Sequence, residues 1–176
     1  MLIINVNNAI ALHRIAITDA PEIFSIIDNE RIYLRKWLPF VDYTKTVADT
    51  EAYIASIYAQ PMPENVFVVR YENNIVGLIG FKFSDYANKK TEIGYWLSHN
   101  YQKKGIITLS VKRLMQYAFE TMDMNRIQLR CAVDNRPSNK VAQRLSFVFE
   151  GIERDGEILS DGEFTDLNVY SFLRRK

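Results

Sequence analysis

The chain is poor in the residues that build disulfide frameworks and metal clusters. It has one cysteine, Cys131, among 176 residues, which excludes an internal disulfide network and a cysteine zinc site. A chain that needs no disulfide suits a reducing cytoplasm. Its two histidines, His13 and His99, do not stand at a metal-ligand spacing, and no metal is expected. No apolar run approaches the roughly 20 residues of a membrane-spanning helix. The opening MLIINVNNAIALHR lacks a basic start, a long apolar core and a small-residue cleavage site, so no signal peptide is expected. Net charge is +1, too little for a broad nucleic-acid footprint. Arg174, Arg175 and Lys176 read as a solvated tail. Linkers, repeats and low-complexity tracts are also missing, and the length suits one core. A single domain over 1–176 is expected.

What is present alternates strand and helix patterns. Residues 9–17 (AIALHRIAI) predict a first strand, and Asp19 with Glu22 predicts a capping box opening a helix. Ile23, Ile27 and Leu34 continue it at helical spacing until Pro39 breaks it. Thr46 and Asp49 open a second helix carrying Ile54, Ile57 and Tyr58, which QPMPEN ends. Strand-like runs follow at 66–71, 75–83 and 91–97, the first two joined by a tight ENN turn. A helix over 106–122 carries Ile107, Val111, Leu114, Met115, Ala118 and Met122 on one stripe. A strand at 127–133, a short helix from DNRPSNKVAQRL, and strands at 147–151 and 164–173 complete the chain. The order predicts a mixed α/β fold, antiparallel at first, with 91–97 and 127–133 as parallel neighbours across a helix.

One local rule is broken. Gln102, Lys103, Lys104 and Gly105 place two cations at the start of the 106–122 helix, where the peptide dipoles already leave positive charge. Such a breach often marks function. Exposed N–H groups, a positive field end and a glycine that lets a ligand come close together make an anion site. The plain alternative is a solvated basic loop. The stretch is not a Walker loop, which needs two glycines and Lys-Ser/Thr, nor a dinucleotide fingerprint, since no G-x-G precedes it.

Taken together, TEIGYWLSHNYQKKGIITLSVKRLMQYAFE, NRIQLRCAVDNRPSNKVAQRLSFVFEG and FTDLNVYSFL resemble the GNAT acetyl-CoA-dependent N-acetyltransferases. The likeness runs from about residue 8 to the end and is strongest to the RimJ and RimL branch. The family's Gln/Arg-x-x-Gly-x-Gly/Ala motif is met by Gln102 and Gly105, with Ile107 at the last small position; its Leu-Gly-Phe is Leu145-Ser146-Phe147 here. The resemblance implies a mixed, mostly antiparallel sheet of about seven strands, splayed between 91–97 and 127–133, with helices on both faces. It implies acetyl transfer from acetyl-CoA to a primary amine by direct attack in a ternary complex, foremost to a protein or peptide N-terminal α-amine. It further implies that the main-chain amides of Gln102, Lys103, Lys104, Gly105, Ile106, Ile107 and Thr108 hold the pyrophosphate. The pantetheine arm would slot in beside Tyr95, Trp96 and Leu97 and bond Asn135, which otherwise reads as a turn former. The resemblance leaves a monomer and a homodimer both open.

The chemistry needs a base, a carbonyl-oxygen donor and an acid for the thiolate. An α-amine has an unperturbed pKa of roughly 7.7–8.0 and must lose a proton. Glu157 matches the proposed base of RimL-like enzymes, and Glu92 shares a strand face with Gly94 and Trp96. The plain reading of each is an exposed surface carboxylate. Ser138 matches the family serine that protonates the thiolate, though it also suits a helix cap. Tyr170 is a reserve acid or a core aromatic. Cys131 reads as a buried structural thiol and His99 as a loop residue beside the cofactor. Tyr33, Trp37, Phe40 and Tyr43 are expected to wall the acceptor mouth or to pack in the core. A non-catalytic acyl-CoA-binding domain, and a small acceptor such as a polyamine or aminoglycoside, are the competing expectations.

Overall fold

The computed structural model describes residues 2–59 and 66–174. The elements run β1 (Ile3–Asn5), β2 (Ile10–Arg14), α1 (Ala20–Asn29), α2 (Arg31–Leu34), α3 (Val47–Tyr58), β3 (Val66–Tyr71), β4 (Asn74–Asp85) and β5 (Lys90–Leu97). Then follow α4 (Ile106–Glu120), β6 (Arg126–Ala132), α5 (Arg136–Arg144), β7 (Val148–Ile158) and β8 (Phe164–Leu173). The strands form one eight-stranded sheet in the order β1-β2-β3-β4-β5-β6-β8-β7. Only β5 and β6 run parallel. This is the expected mixed, mostly antiparallel fold, with eight strands where about seven were expected.

The β5–β6 pair decides where a site can form. Three pairs join the strands, Lys90 to Arg126, Thr91 to Ile127 and Glu92 to Gln128. Past Glu92 they part, although β5 stays paired to β4 as far as Leu97 and β6 to β8 as far as Ala132. The expected splay is therefore present.

Alternation along β5 sends side chains to two different cores. Ile93 joins the core under α4, with Ile106, Val111, Leu114, Ala118, Ile127 and Leu129. Trp96 joins the opposite core, with Ile23 and Ile27 of α1, Ile54 and Ile57 of α3, and Val68 and Leu78. Helices thus cover both faces, each held by its apolar stripe. Leu114 is fully buried, and truncating it to alanine should cost about 3–5 kcal/mol.

Local signals succeeded where both partners were near in sequence. Thr46 caps α3 and exchanges bonds with Asp49, the Asp49 amide donating to Thr46 Oγ1 at 3.3 Å and the Thr46 amide to Asp49 Oδ2 at 2.8 Å. In the β3–β4 turn, Glu72 and Asn73 have φ of 50° and 69°, the left-handed pair that a two-residue hairpin needs. The Asp19–Glu22 capping box does not form, because other partners take both carboxylates. Asp19 accepts from the Ala16 amide at 2.8 Å and from Arg70 at 3.0 Å, while Glu22 accepts from the Ile75 amide at 2.9 Å.

Other expectations are corrected. The first strand stops at Arg14, before a 3-10 turn at Ile17–Asp19, and the short β1 pairs beside it. α4 ends at Glu120, so Met122 packs on the core from beyond the helix. β7 runs to Ile158, seven residues past the expected 151, and carries Glu157 within a strand. Arg174 is no loose tail, since it pairs with Asp123 at 2.7 Å. QPMPEN, Arg175 and Lys176 lie outside the described residues. Among the described residues, no helix is long and apolar enough to cross a membrane.

Candidate active site

The splay, the mouth of α4 and the space beneath α1–α3 form one cavity of about 1480 Å³, more than a single drug-sized ligand needs. At the α4 mouth Gly105 is the N-cap, at φ 74°, and no side chain caps the helix. Lys103 is also left-handed, at φ 62°, a conformation that disfavours a residue with a Cβ. Successive turns of this kind gather N–H groups into a concave anion nest. A Cβ on Gly105 would meet nothing within 4 Å, so the backbone there faces open space. Ile106 and Ile107 are anchored in the α4-side core, and the bulk of Ile107 at the family's small position is therefore absorbed by the core. Thr108 lines the cavity, as do Gln102 and Lys103.

Lys104 behaves differently from its neighbour. Its ammonium lies 5.1 Å from the ring centroids of both Tyr71 and Tyr101, a cation–π clamp, and its side chain is not among the cavity walls. Of the two lysines, only Lys103 lines the cavity.

Inside the splay three proton-bearing groups meet. The Tyr95 hydroxyl and Ser138 Oγ are 2.9 Å apart, and Ser138 Oγ donates to Cys131 Sγ at 3.2 Å. Burial pushes the Tyr95 phenol well above its ordinary range. Burial likewise pushes the Cys131 thiol up to about 11. Both stay protonated at neutral pH, so the cluster can donate a proton to a departing thiolate. Cys131 is buried, as expected, but it borders the opening and is one of its walls. Asn135 caps α5 by accepting from the Ser138 amide at 3.3 Å. The cap is thus Asn135, and the Ser138 hydroxyl is left for the splay. Tyr170, the reserve acid, donates to Asn139 Oδ1 at 2.9 Å inside the core and does not line the cavity.

The other face of the sheet carries the carboxylates. Glu92 is buried, with Oε2 accepting from Arg130 Nε at 2.9 Å and Oε1 3.5 Å from Lys82 Nζ. Oε1 has no hydrogen-bond partner among the described residues. Lys82 reaches Glu92 by lying across Gly94, where a Cβ would come within 2.5 Å of its Cδ. Glu157 is half-buried on β7 and lines the same cavity, and its carboxylate makes no hydrogen bond or ion pair with any described residue. Of the expected aromatic wall, Tyr33, Trp37 and Phe40 line the cavity. Tyr43 does not, and is 80% exposed. Tyr53, which the sequence did not single out, takes part in the wall.

A further tie was invisible in the sequence. Glu30, at the α1–α2 junction, accepts from Ser98 Oγ at 2.6 Å and from the His99 amide at 2.8 Å. Tyr33 bonds Gln102 through its hydroxyl and packs edge-on against the His99 ring at 4.8 Å. His99 therefore braces the loop and does not face the cavity. α2 and its following turn, which line the cavity, are thus bolted to the loop that opens α4. The sequence also passed over Arg136, Lys140 and Arg144, which line the cavity from α5. Their spacing of four residues was a readable signal.

A helix mouth with uncapped N–H groups beside a sheet held open, with proton donors in the gap and carboxylates on the far face, fits an acyltransferase that uses a phosphate-bearing thioester. The acetyltransferase (GNAT) domain family matches residues 10–148, and the chain belongs to that family. The putative ribosomal N-acetyltransferase YdaF of Bacillus subtilis (strain 168) is 34% identical over 180 residues, covering 100% of this chain and 97% of the relative. Among solved structures, the microcin C7 self-immunity acetyltransferase MccE in complex with acetyl-CoA and AMP superposes with TM-score 0.91 and 32% identity, over 96% of this chain and 94% of that one. RimL, the ribosomal L7/L12 alpha-N-protein acetyltransferase, in complex with coenzyme A, superposes with TM-score 0.92 and 26% identity, over 98% of both chains. The protein is an acetyl-CoA-dependent N-acetyltransferase.

Proposed function

We propose that the acceptor is the N-terminal α-amine of a protein or peptide, of the ribosomal-protein kind, and that it attacks acetyl-CoA directly in a ternary complex. The observation that carries this reading is the two-sided cavity. Donors Tyr95 and Ser138 stand in the splay, and the unpartnered Glu157 carboxylate stands across the sheet. The names of YdaF and RimL support the acceptor class.

In this reading the pyrophosphate rests on the main-chain amides of residues 102–108, with Lys103 beside them. The pantetheine arm lies between β5 and β6, alongside Tyr95, Trp96, Leu97 and Asn135. Glu157 takes one proton from the ammonium, directly or through water. The freed amine adds to the thioester carbonyl, whose growing charge is met by β5 N–H groups that face the gap. The C–N bond forms and the C–S bond breaks; Ser138, backed by Tyr95, gives a proton to the thiolate, and the second proton shed by the acetylated nitrogen restores the Ser138 hydroxyl. Glu92, already paired to Arg130 and Lys82, orients the acceptor.

Residues 1–176 act as a single domain in this account, working in the cytoplasm where acetyl-CoA is made and Cys131 stays reduced. β7 is a sheet edge with Val148, Phe149 and Ile152 all more than half exposed, which favours a homodimer across that edge. The test is thiol release from acetyl-CoA across a panel of peptides, polyamines and aminoglycosides, with mass mapping of the product. Acetylation at peptide α-amines is expected. Turnover of small amines alone would reverse the acceptor assignment.

A further inference from the structure

The whole chain carries a net charge of only +1, yet one wall of the cavity is strongly cationic. Lys103, Arg136, Lys140 and Arg144 line it, and none makes an ion pair or side-chain hydrogen bond with a described residue. The cavity's other cations are committed, Lys82 to Glu92 at 3.5 Å and Arg130 to Glu92 at 2.9 Å and Glu153 at 3.0 Å. Arg136, Lys140 and Arg144 lie four residues apart along α5, which stacks them on one side of the helix. The opposite side packs inward through Asn139, Val141 and Ala142.

Like charges at this spacing repel one another, and Arg136 also sits at the positive end of the helix dipole. No described residue pairs with these side chains to offset that arrangement. An anion in the cavity would. The proposed pyrophosphate site at the α4 mouth needs only its amides and Lys103, so the α5 cations answer to a different charge. Acetyl-CoA has one, the 3′-phosphate on its ribose, a compact phosphomonoester suited to paired guanidinium and ammonium donors.

We propose that Arg136, Lys140 and Arg144 form the subsite for the coenzyme's 3′-phosphate, and that the enzyme thereby selects 3′-phosphorylated coenzyme over its dephospho form. The subsite rests on the coenzyme lying as set out above, with its pyrophosphate at the α4 mouth. Charge-assisted bonds of this kind discriminate on the order of 10- to 100-fold. The selection should weaken steeply with salt, since the cations are exposed.

The experiment is calorimetric titration of coenzyme A and of 3′-dephospho-coenzyme A into the full chain and into a Lys140→Gln/Arg144→Gln double variant. Both side chains are exposed, and a thermal melt will show that the variant folds. The wild type should bind coenzyme A at least about tenfold tighter than the dephospho form. The variant should bind the two within about threefold of each other, with its affinity for the dephospho form unchanged. Equal affinities in the wild type would overturn the subsite, as would a ratio that survives in the variant. Parallel weakening of both ligands would also overturn it, since the stripe would then serve the pyrophosphate. Failure of the wild type to bind either ligand would overturn the coenzyme placement itself.

Discussion

Replacing Gly105 with valine separates what the backbone needs from what a ligand needs. Gly105 holds φ 74° at the head of α4, where a residue with a Cβ loses about 1–2 kcal/mol, and a β-branched one tends to the upper end. No steric cost from the protein adds to this, because a Cβ there would find nothing within 4 Å. The folded state should therefore survive with a melting temperature lower by roughly 2–8 °C. The same open space is where the pyrophosphate is proposed to meet the amides, so two methyl groups should hold the phosphates off. Coenzyme affinity should fall by at least about tenfold, or ~1.4 kcal/mol, in calorimetry below the melting transition. Gly105→Ala gives the control, with most of the backbone strain and less of the bulk, and should lie between. If valine lowers the melting temperature as stated yet leaves coenzyme affinity at the wild-type value, the phosphates do not sit at this helix mouth.

Glu157→Gln should reduce kcat by about 10²–10⁴-fold, the usual contribution of a general base, with coenzyme affinity intact by titration; wild-type turnover would move the base to Glu92 or to water. Glu30→Ala should raise KM for acetyl-CoA about tenfold through loss of bonds to a charged acceptor. Glu30→Gln should recover part of that, because its amide oxygen still accepts from the His99 amide. Cys131 makes a prediction for alkaline pH. Its thiol is raised from 9.0 to about 11, so the folded state favours the protonated form. That contribution is complete below pH 9 and is lost as pH rises through 11. It amounts to about 2–3 kcal/mol, and denaturant melts of Cys131→Ala should show a correspondingly flatter alkaline limb.

The parts of this molecule that could be read from the chain are those encoded over a few residues. The α4 stripe from Ile107 to Ala118, the Thr46–Asp49 cap and the β8 span of Phe164–Leu173 all follow from short-range periodicity or reach. The splay followed from resemblance, since no local signal marks where β5 leaves β6. What escaped was set by partners far away in the chain. Glu22 bonds residue Ile75, and Glu30 bonds Ser98 and His99 across more than 65 positions. Lys104 looked like a phosphate ligand beside Lys103, but the distant Tyr71 ring helps hold its ammonium elsewhere. Tyr53 reaches the cavity wall only through the packing of α3. Arg136, Lys140 and Arg144 were legible in their spacing, yet the Asn-Arg-Pro-Ser motif around them drew the attention to Asn135 and Ser138.

Three rungs join β5 to β6, and beyond them the ladder simply stops while its rails continue. Backbone donors and acceptors along both inner edges are left for a guest that can answer them in kind. A pantetheine arm carries two amide groups of its own, so it can enter as a borrowed length of strand. The sheet by itself is then a ladder in two halves fastened at one end. Loading the coenzyme should slow amide hydrogen exchange along residues 93–97 and 129–132 before it changes anything in β1 to β3.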